Sequence, residues 1–247
     1  MSTVLVTGAN RGLGLAFAQA YLRAGWDVLA TIRGTLTGPL AKLAEANPDR
    51  LQIRQLDLDN SASIDALGAG LHGIAVDVFI SNAALTGGEI GTFGQTDYER
   101  FEKCLRANTI APLRLAERLA DSVMISDRKI MFFLGSRLGA FPFFGYAGYM
   151  VSKSALNQVA MQAALALREC GVCVVAAHPG WVGTGATAAH GAAPLTPAQS
   201  AAMLMTIIDG LTIDSTGKFF DPDGSELPLV TQQKEPKFYG KPSNATR

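Results

Sequence analysis

The sequence contains little of several features that mark particular classes of protein. Its 247 residues include only three cysteines and three histidines, and no second pair of either completes the ligand set of a zinc site. Lysine plus arginine and aspartate plus glutamate number 21 each, so no basic excess indicates binding to nucleic acid. No apolar run approaches the roughly 18 residues that span a bilayer. We therefore expect neither a metal, nor a nucleic acid, nor a membrane as a partner.

The amino terminus and the cysteines favour a cytoplasmic location. The chain begins MSTVLVTG, which lacks a basic segment and enters a predicted strand almost at once, so a secretory signal is not expected. Cys170 and Cys173 form a C-G-V-C sequence, but Cys170 ends a predicted helix and Cys173 begins a strand, whereas thioredoxin-like motifs open a helix. We interpret them as two core cysteines across a helix-to-strand turn, with Gly171 just past the helix end.

Apolar stretches of strand length alternate with helical stretches along the whole chain. Several strands are continuously apolar, as expected when both faces of a sheet are covered. This order predicts an α/β fold with one doubly wound Rossmann domain over residues 1–247. We expect a seven-stranded parallel sheet in the order 3-2-1-4-5-6-7, with helices on both faces. The tail after about residue 230 is expected to be extended or surface-draped. The predicted strands are Thr3–Thr7, Asp27–Ile32, Leu51–Leu56, Val76–Ser81, Lys129–Gly135, Cys173–His178 and Gly217–Phe220, and the predicted helices are Leu13–Ala24, Ser61–Leu71, Tyr98–Val123, Ala147–Arg168 and Pro197–Asp209.

The first predicted strand runs into the sequence TGANRGLG, which contains three closely spaced glycines. Glycines at a strand-to-helix turn let backbone N–H groups approach a pyrophosphate, which also gains from the positive end of the helix. The spacing is G-x3-G-x-G, which differs from the general dinucleotide fingerprint, and turn glycines can also be purely structural. We favour cofactor binding, with contacts from Gly8, Asn10, Arg11, Gly12, Leu13 and Gly14.

A tyrosine and a lysine in GYAGYMVSKSAL form a candidate acid/base pair. Tyr149 and Lys153 are four residues apart, so on a helix they share one face, whereas Tyr146 has Met150 at the equivalent position. A free phenol has a pKa near 10, and a neighbouring ammonium lowers it. Such pairs are also ordinary on helix surfaces, so the pair alone is weak evidence for catalysis.

Together, the glycine loop and the Tyr/Lys pair resemble the short-chain dehydrogenase/reductase family, and the resemblance covers nearly the whole chain. The family's catalytic serine matches Ser136 in FFLGSR, and its catalytic asparagine matches Asn108 in RANTIAPLRL. The family's N-A-G sequence appears as Asn82-Ala83-Ala84, with an extra methyl group at Ala84. Small carbonyl-reductase-like and C-factor-like members are most similar, because they carry a segment like GKFFDPDGSELPL. Cofactor contacts are implied for Asp57 and Leu58 at the adenine, for Asn82, Ala83 and Ala84, and for Pro179, Gly180, Val182 and Thr184 in PGWVGT.

The resemblance implies a hydride transfer between a nicotinamide and a carbonyl or alcohol. Tyr149 is then the acid, and Ser136 holds the substrate oxygen. Lys153 binds the ribose hydroxyls and, together with the cationic nicotinamide ring, lowers the tyrosine pKa. Asn108 orients a water that passes protons toward the lysine, and Thr184 fixes the carboxamide. His178 is expected to be a structural histidine with its hydrogen bonds satisfied. The alternatives are a C-factor-like signalling protein, a nucleotide-sensing module with little turnover, and a sugar epimerase or dehydratase that shares Tyr-x-x-x-Lys.

Three finer expectations concern the cofactor, the substrate and the assembly. Relatives that prefer NAD carry an acid where this chain has Ile32, followed by Arg33, so Arg33 and Arg11 favour NADP(H). The aromatic side chains expected to line an apolar substrate pocket are Phe141, Phe143, Phe144 and Trp181. Monomeric relatives carry an insertion before the catalytic tyrosine that this chain lacks, so we expect a homodimer, with a homotetramer as the alternative.

Overall fold

The computed structural model describes residues 1–85, 94–141, 147–184 and 193–229, and one eight-stranded sheet organises them. The strand order is β3-β2-β1-β4-β5-β6-β7-β8, with parallel pairing up to β7 and an antiparallel pair between β7 and β8. The strands are β1 (Thr3–Val6), β2 (Asp27–Ile32), β3 (Leu51–Gln55), β4 (Val78–Ser81), β5 (Ile130–Leu134), β6 (Cys173–Ala177), β7 (Phe219–Phe220) and β8 (Glu226–Leu227), and the helices are α1 (Gly12–Arg23), α2 (Gly38–Ala46), α3 (Ser61–Gly70), α4 (Tyr98–Leu105), α5 (Ala111–Met124), α6 (Ala147–Leu167) and α7 (Pro197–Asp209).

The α/β class and the order of the first seven strands are confirmed, and four details are corrected. The eighth strand was not predicted, because its two residues follow a short turn and carry no alternating pattern of their own. The helix Gly38–Ala46 was also missed. The single helix predicted over Tyr98–Val123 is divided by a π-helical turn, Arg106–Ile110. Cys170 is exposed and only Cys173 is buried, so the C-G-V-C sequence does not contribute two core cysteines.

Both faces of the sheet are buried, which explains why the strands are continuously apolar. Successive side chains of a strand point to opposite faces, and in β5 Phe132 packs into the cluster on the α1 and α7 side while Phe133 packs into the cluster on the α3, α5 and α6 side. Val175 and Val174 of β6 divide in the same way. Two layers of helices therefore hold the parallel strands in place, and the loops after the strands form one functional edge.

The carboxyl ends of four neighbouring strands bring the sequence motifs together. The glycine loop follows β1, Asn82 follows β4, Ser136 follows β5, and Pro179 follows β6. Because β1, β4, β5 and β6 are parallel neighbours, their following loops lie at the same edge of the sheet. Among the described residues, no helix is both long and apolar enough to cross a membrane.

Candidate active site

The glycine loop after β1 is built for close backbone contact. Gly8 has a left-handed backbone with φ of +69°, which a side chain would strain. Gly14 lies where helix α1 meets the loop, and a Cβ there would come within 2.3 Å of the Gly8 carbonyl oxygen. The loop and the first turn of the helix therefore approach each other more closely than any side chain would permit.

The amino terminus of α1 presents unneutralised positive charge to this loop. Arg11 is the N-cap residue, it makes no side-chain capping hydrogen bond, and no acid lies in the first turn. Free N–H groups and the helix dipole at such an end favour an anion. Asn10 and Arg11 are exposed, whereas Leu13 is buried in the core. Of these predicted contact residues, Leu13 therefore has only its backbone to offer a ligand.

The Asn82-Ala83-Ala84 segment is tied to the glycine loop by hydrogen bonds. The Thr7 hydroxyl accepts from the backbone N–H groups of Asn82 and Ala83, each at 2.9 Å, and the Asn82 amide donates to the Thr7 carbonyl at 2.7 Å. Ala84 is exposed and its φ is not positive, so its methyl group replaces a glycine without backbone strain. Thr7 is a site residue that the sequence reasoning missed, although its place just before Gly8 was a usable signal.

The Pro179–Thr184 loop after β6 reaches back to the glycine loop. The Thr184 methyl group lies 3.4 Å from where a Cβ on Gly12 would be. Val182 is buried and forms an isolated β-bridge with Leu195, while a Cβ on Gly180 would come within 2.5 Å of the Leu195 side chain. These contacts place Thr184 beside the glycine loop, at the edge of the sheet where a ligand would lie.

Ser136, Tyr149 and Lys153 form a buried polar cluster at the same edge. The Ser136 hydroxyl lies close enough to the Tyr149 phenol to lower its pKa, and Ser136 is only 5% exposed. Lys153 lies one helical turn after Tyr149, with its ammonium nitrogen 5.8 Å from the phenol ring centroid. The Lys153 ammonium donates to the Leu134 carbonyl at 2.7 Å. Ser136, which follows β5, therefore lies close to Tyr149 and Lys153 of α6.

Burial determines the acid–base properties of this cluster. It lowers the pKa of Lys153 to about 8, because a low-dielectric surrounding disfavours the ammonium. Burial also raises the pKa of Tyr149, and the nearby Ser136 hydroxyl only partly opposes that effect. The predicted lowering of the tyrosine pKa involves Lys153 together with the cationic nicotinamide ring, and it stays a prediction; within the protein, the Lys153 ammonium is bonded to the Leu134 carbonyl.

Asn108 lies in the π-helical turn, and its side-chain amide forms hydrogen bonds with two other segments of the chain. The amide accepts from the Leu85 N–H at 2.7 Å and donates to the Leu85 carbonyl at 2.8 Å. It also donates to the Ser152 hydroxyl at 3.0 Å, and that hydroxyl donates to the Tyr149 carbonyl at 2.7 Å. The π-helical turn thus links the loop after β4 to the helix that carries Tyr149. Ser152 was not predicted, because this contact spans 44 residues of sequence.

The expected adenine and ribose contacts lie at the far side of the glycine loop. Arg33 is exposed and directly follows β2, and neither it nor Arg11 forms an ion pair with a described residue. Asp57 and Leu58 are half-buried in the turn after β3. The Asp57 Oδ1 atom accepts from the Asp59 N–H at 3.0 Å, which holds the carboxylate in the turn.

The predicted substrate aromatics are only partly placed by the structure. Phe141 is 37% exposed and lies shortly after the 3-10 turn Arg137–Gly139 that follows Ser136. Trp181 is 46% exposed and lies in the Pro179–Thr184 loop. Phe143 and Phe144 lie outside the described residues. Within the described ranges, no group of three or more His, Cys, Asp and Glu side chains is arranged to hold a metal.

His178, next to Pro179, departs from the expectation that its hydrogen bonds are satisfied. Its Nδ1 atom is buried and has no hydrogen-bond partner among the described residues. Burial lowers the pKa of His178 to about 4; the Asp221 carboxylate opposes this effect, and the cations Arg137 and Lys153 add to it. The imidazole is therefore neutral at physiological pH.

Comparisons with known proteins agree with this arrangement. Residues 2–194 match the family model described as short chain dehydrogenase. The chain is 29% identical to 1-hydroxy-2-glutathionyl-2-methyl-3-butene dehydrogenase of Rhodococcus sp. over 92% of this chain and 99% of that protein. It is 31% identical to C-signal of Myxococcus xanthus over 62% of this chain and 92% of that protein. The crystal structure of NADPH-bound carbonyl reductase from chicken fatty liver superimposes with a TM-score of 0.82, at 28% identity, over 92% of this chain and 98% of that one.

Proposed function

The chain belongs to the short-chain dehydrogenase family, and on that basis we propose that it is an NADP(H)-dependent oxidoreductase that interconverts a hydrophobic aldehyde or ketone and its alcohol. One observation carries the proposal: the buried side chains of Ser136 and Lys153 lie beside Tyr149 at the same sheet edge as the glycine loop. An acid, an oxygen-binding hydroxyl and a cofactor loop are the parts that carbonyl reduction needs.

The residues at this edge fit a dinucleotide. Gly8 and Gly12 have positive φ and pack closely against Ala83 and Thr184, which keeps the loop compact, and the start of α1 has no acid to repel a pyrophosphate. Thr184 and Pro179 border the nicotinamide end, while Asp57 and Leu58 border the adenine end. When bound, the nicotinamide supplies or accepts the hydride, and the protein supplies placement and proton transfer.

Tyr149 is the proposed proton donor in the reduction direction. Its hydroxyl gives a proton to the carbonyl oxygen as the carbon gains a hydride, and the same group takes the proton back in alcohol oxidation. The Ser136 hydroxyl, which lies beside the phenol, donates to the substrate oxygen and stabilises the charge that develops there. The raised pKa of Tyr149 keeps the phenol protonated at neutral pH, as an acid must be.

Lys153 and Asn108 supply the proton path and the fixed geometry. Because the pKa of Lys153 is about 8, its ammonium can lose and regain a proton near neutral pH. The Asn108 side chain uses both N–H donors and one oxygen lone pair on Leu85 and Ser152, so a water that Asn108 orients would donate to its backbone carbonyl or to the second lone pair of its side-chain oxygen. The side chain of Asn108 therefore positions the segments around Tyr149.

Arg11 and Arg33 carry the proposed preference for NADP(H). Both guanidinium groups are exposed, and neither is paired with a described acid. Arginine binds phosphate in fork geometry, so two such groups at the ribose end favour the 2′-phosphate over a hydroxyl. The chicken carbonyl reductase with NADPH bound supports the same preference.

A homodimer is proposed on the exposed apolar side chains of the long helices. Isolated apolar residues on a surface are ordinary, but several on adjacent helices mark an interface. We propose that α5 and α6 pair with their copies across a two-fold axis. Among the described residues, the exposed apolar side chains on or beside these helices are Tyr98, Ile110, Leu113, Ile125, Val151 and Leu165.

The deciding experiment measures NADPH consumption by the purified protein with aromatic and aliphatic aldehydes, ketones, quinones, sugars and keto acids. We expect turnover, with hydrophobic carbonyls reduced faster than sugars or keto acids. The C-signal relative supports a second candidate, a signalling role with little turnover. Tight NADPH binding without consumption of any carbonyl in the panel would favour that second role.

A further inference from the structure

An ion pair begins one residue after the proposed catalytic serine. Ser136 leads into a single 3-10 turn, Arg137–Gly139, which we call the serine turn. The Arg137 guanidinium binds Asp221 in fork geometry. Its Nε atom lies 2.9 Å from Asp221 Oδ1, and its second nitrogen contacts Oδ2. Asp221 is 6% exposed, whereas the Arg137 side chain is 54% exposed. A nearly buried carboxylate therefore holds a cation that is half open to solvent.

Asp221 belongs to a hairpin that contacts both loops flanking Tyr149. It follows β7 and begins the turn to β8, closed by hydrogen bonds from Asp221 N–H to Ser225 and from Gly224 N–H to Asp221. The Pro222 ring in this turn lies 3.4 Å from where a Cβ on Gly180 would be. The hairpin thus joins the serine turn to the loop that borders the proposed nicotinamide site.

The serine turn packs against helix α6 on one side, and the ion pair with Asp221 lies on the side that α6 leaves open. A Cβ on Gly139 would come within 2.7 Å of the Lys153 backbone, and the Ser154 hydroxyl donates to the Gly139 carbonyl at 2.7 Å. Because the turn is packed against α6, Arg137 is held one residue after Ser136, with its guanidinium directed to Asp221.

Among the described residues, Asp221 is the only carboxylate that is hydrogen-bonded to Arg137. Lys153 on α6 is a second cation, and His178 on the β6 side is neutral because burial lowers its pKa to about 4. Asp223 lies on the same hairpin and interacts with Arg137 at longer range, with its carboxylate bonded to Ser225. Loss of the Asp221 charge would leave the site with a net positive field and an arginine fork open to carboxylates.

We propose that Asp221 is a specificity-determining residue, which occupies Arg137 and thereby keeps carboxylated substrates from binding beside Ser136. The proposal rests on the proposed carbonyl reductase function. It explains why a site with an arginine next to its catalytic serine is nevertheless suited to neutral carbonyls. The ion pair also positions Ser136, but the preference for neutral substrates is the property that distinguishes this role from a structural one.

The test compares Asp221→Asn with the wild type on a charged and a neutral form of one α-keto substrate, benzoylformate and its methyl ester. We expect the ratio of kcat/KM for the acid to that for the ester to rise at least tenfold in Asp221→Asn, chiefly through a lower KM for the acid. Asp221→Glu, which restores the charge, should return the ratio toward the wild-type value. Glu226→Gln is the matched control, because it breaks the Lys218–Glu226 pair on the same hairpin and should leave the ratio within twofold.

A lower melting temperature of Asp221→Asn with an unchanged ratio would overturn the proposal and reduce the pair to a structural contact. If Asp221→Asn does not fold, Asp221→Ser decides, because it also removes the charge that occupies Arg137; a rise of at least threefold is expected, and an unchanged ratio overturns the proposal. A wild-type protein that consumes NADPH with no carbonyl refutes the proposed function itself, and this inference with it. An active wild type with unchanged ratios in the variants refutes only the inference.

Discussion

The buried ammonium of Lys153 leads to a prediction about stability that is separate from catalysis. Burial lowers its pKa from 10.5 to about 8, and a difference of one in pKa corresponds to about 1.4 kcal/mol. Keeping this ammonium inside the folded protein at pH 7 therefore costs roughly 3 kcal/mol. Lys153→Met removes that cost at similar side-chain length, but it leaves the Leu134 carbonyl without its donor, which costs about 1–3 kcal/mol. We expect the variant to be inactive yet about 1 kcal/mol more stable than the wild type at pH 7.

The sign of the pH dependence follows from the direction of the pKa change. Between about pH 8 and pH 10.5 the unfolded chain keeps the Lys153 proton while the folded protein has lost it, so the unfolded state binds more protons and stability rises with pH. Lys153→Met lacks this contribution. Relative to the variant, the wild type should therefore gain roughly 3 kcal/mol across this window, and it should become the more stable of the two at its upper end.

Urea unfolding of both proteins without cofactor, at several pH values from 7 to 10.5, measures this difference directly. Lys42→Met is the control, because Lys42 is exposed on α2 and its replacement should change stability by the same small amount at every pH. A difference between Lys153→Met and wild type that stays constant from pH 7 to pH 10.5 would contradict a buried ammonium. A variant that is much less stable at pH 7 would show that the hydrogen bond to Leu134 outweighs desolvation.

Three further predictions concern the cofactor, the pocket and the assembly. The wild type should prefer NADPH to NADH at least tenfold in kcat/KM, about 1.4 kcal/mol, and Arg11→Ala and Arg33→Ala should each reduce that ratio; equal use of both cofactors would contradict the assignment. Trp181→Ala should raise KM for aromatic carbonyls roughly threefold to tenfold, as expected for a partly buried ring, and a larger loss in NADPH affinity would remove Trp181 from the substrate pocket. Light scattering should find a dimer that Ile110→Glu converts to a monomer while Ile74→Glu does not; a monomeric wild type at micromolar concentration would exclude the interface.

The local sequence pattern accounts for most of the fold, and long-range contacts account for what it missed. Continuous apolar strands and intervening helices gave the class and the order of seven strands. The π-helical turn Arg106–Ile110 could not be read from periodicity, because it keeps helical spacing on either side and differs only in its hydrogen bonds. The strand Glu226–Leu227 depends on pairing with Phe219–Phe220 rather than on any pattern within its two residues. Helix α2 was the avoidable omission, since Thr37 and Pro39 stand where a helix start is expected.

The proposed catalytic residues were found from their spacing and from family resemblance, but their environment was not. Sequence placed Tyr149 and Lys153 on one helix face, and it could not show that burial raises the tyrosine pKa and lowers the lysine pKa. Ser152 contacts a residue 44 positions away, and Asp221 contacts one 84 positions away. Contacts of that kind depend on how the strands are ordered and helices packed, and no local motif encodes them.

The central claim is that Tyr149 is the acid of a carbonyl reductase, and the rate of NADPH oxidation with an aromatic aldehyde tests it most directly. Tyr149→Phe removes only the hydroxyl, so it should keep the fold and NADPH binding while kcat falls at least about a hundredfold, the scale of general acid catalysis. Tyr146→Phe is the matched control, three residues earlier in the sequence, and should lose far less. Equal losses in the two variants, or wild-type rates in Tyr149→Phe, would contradict the assignment.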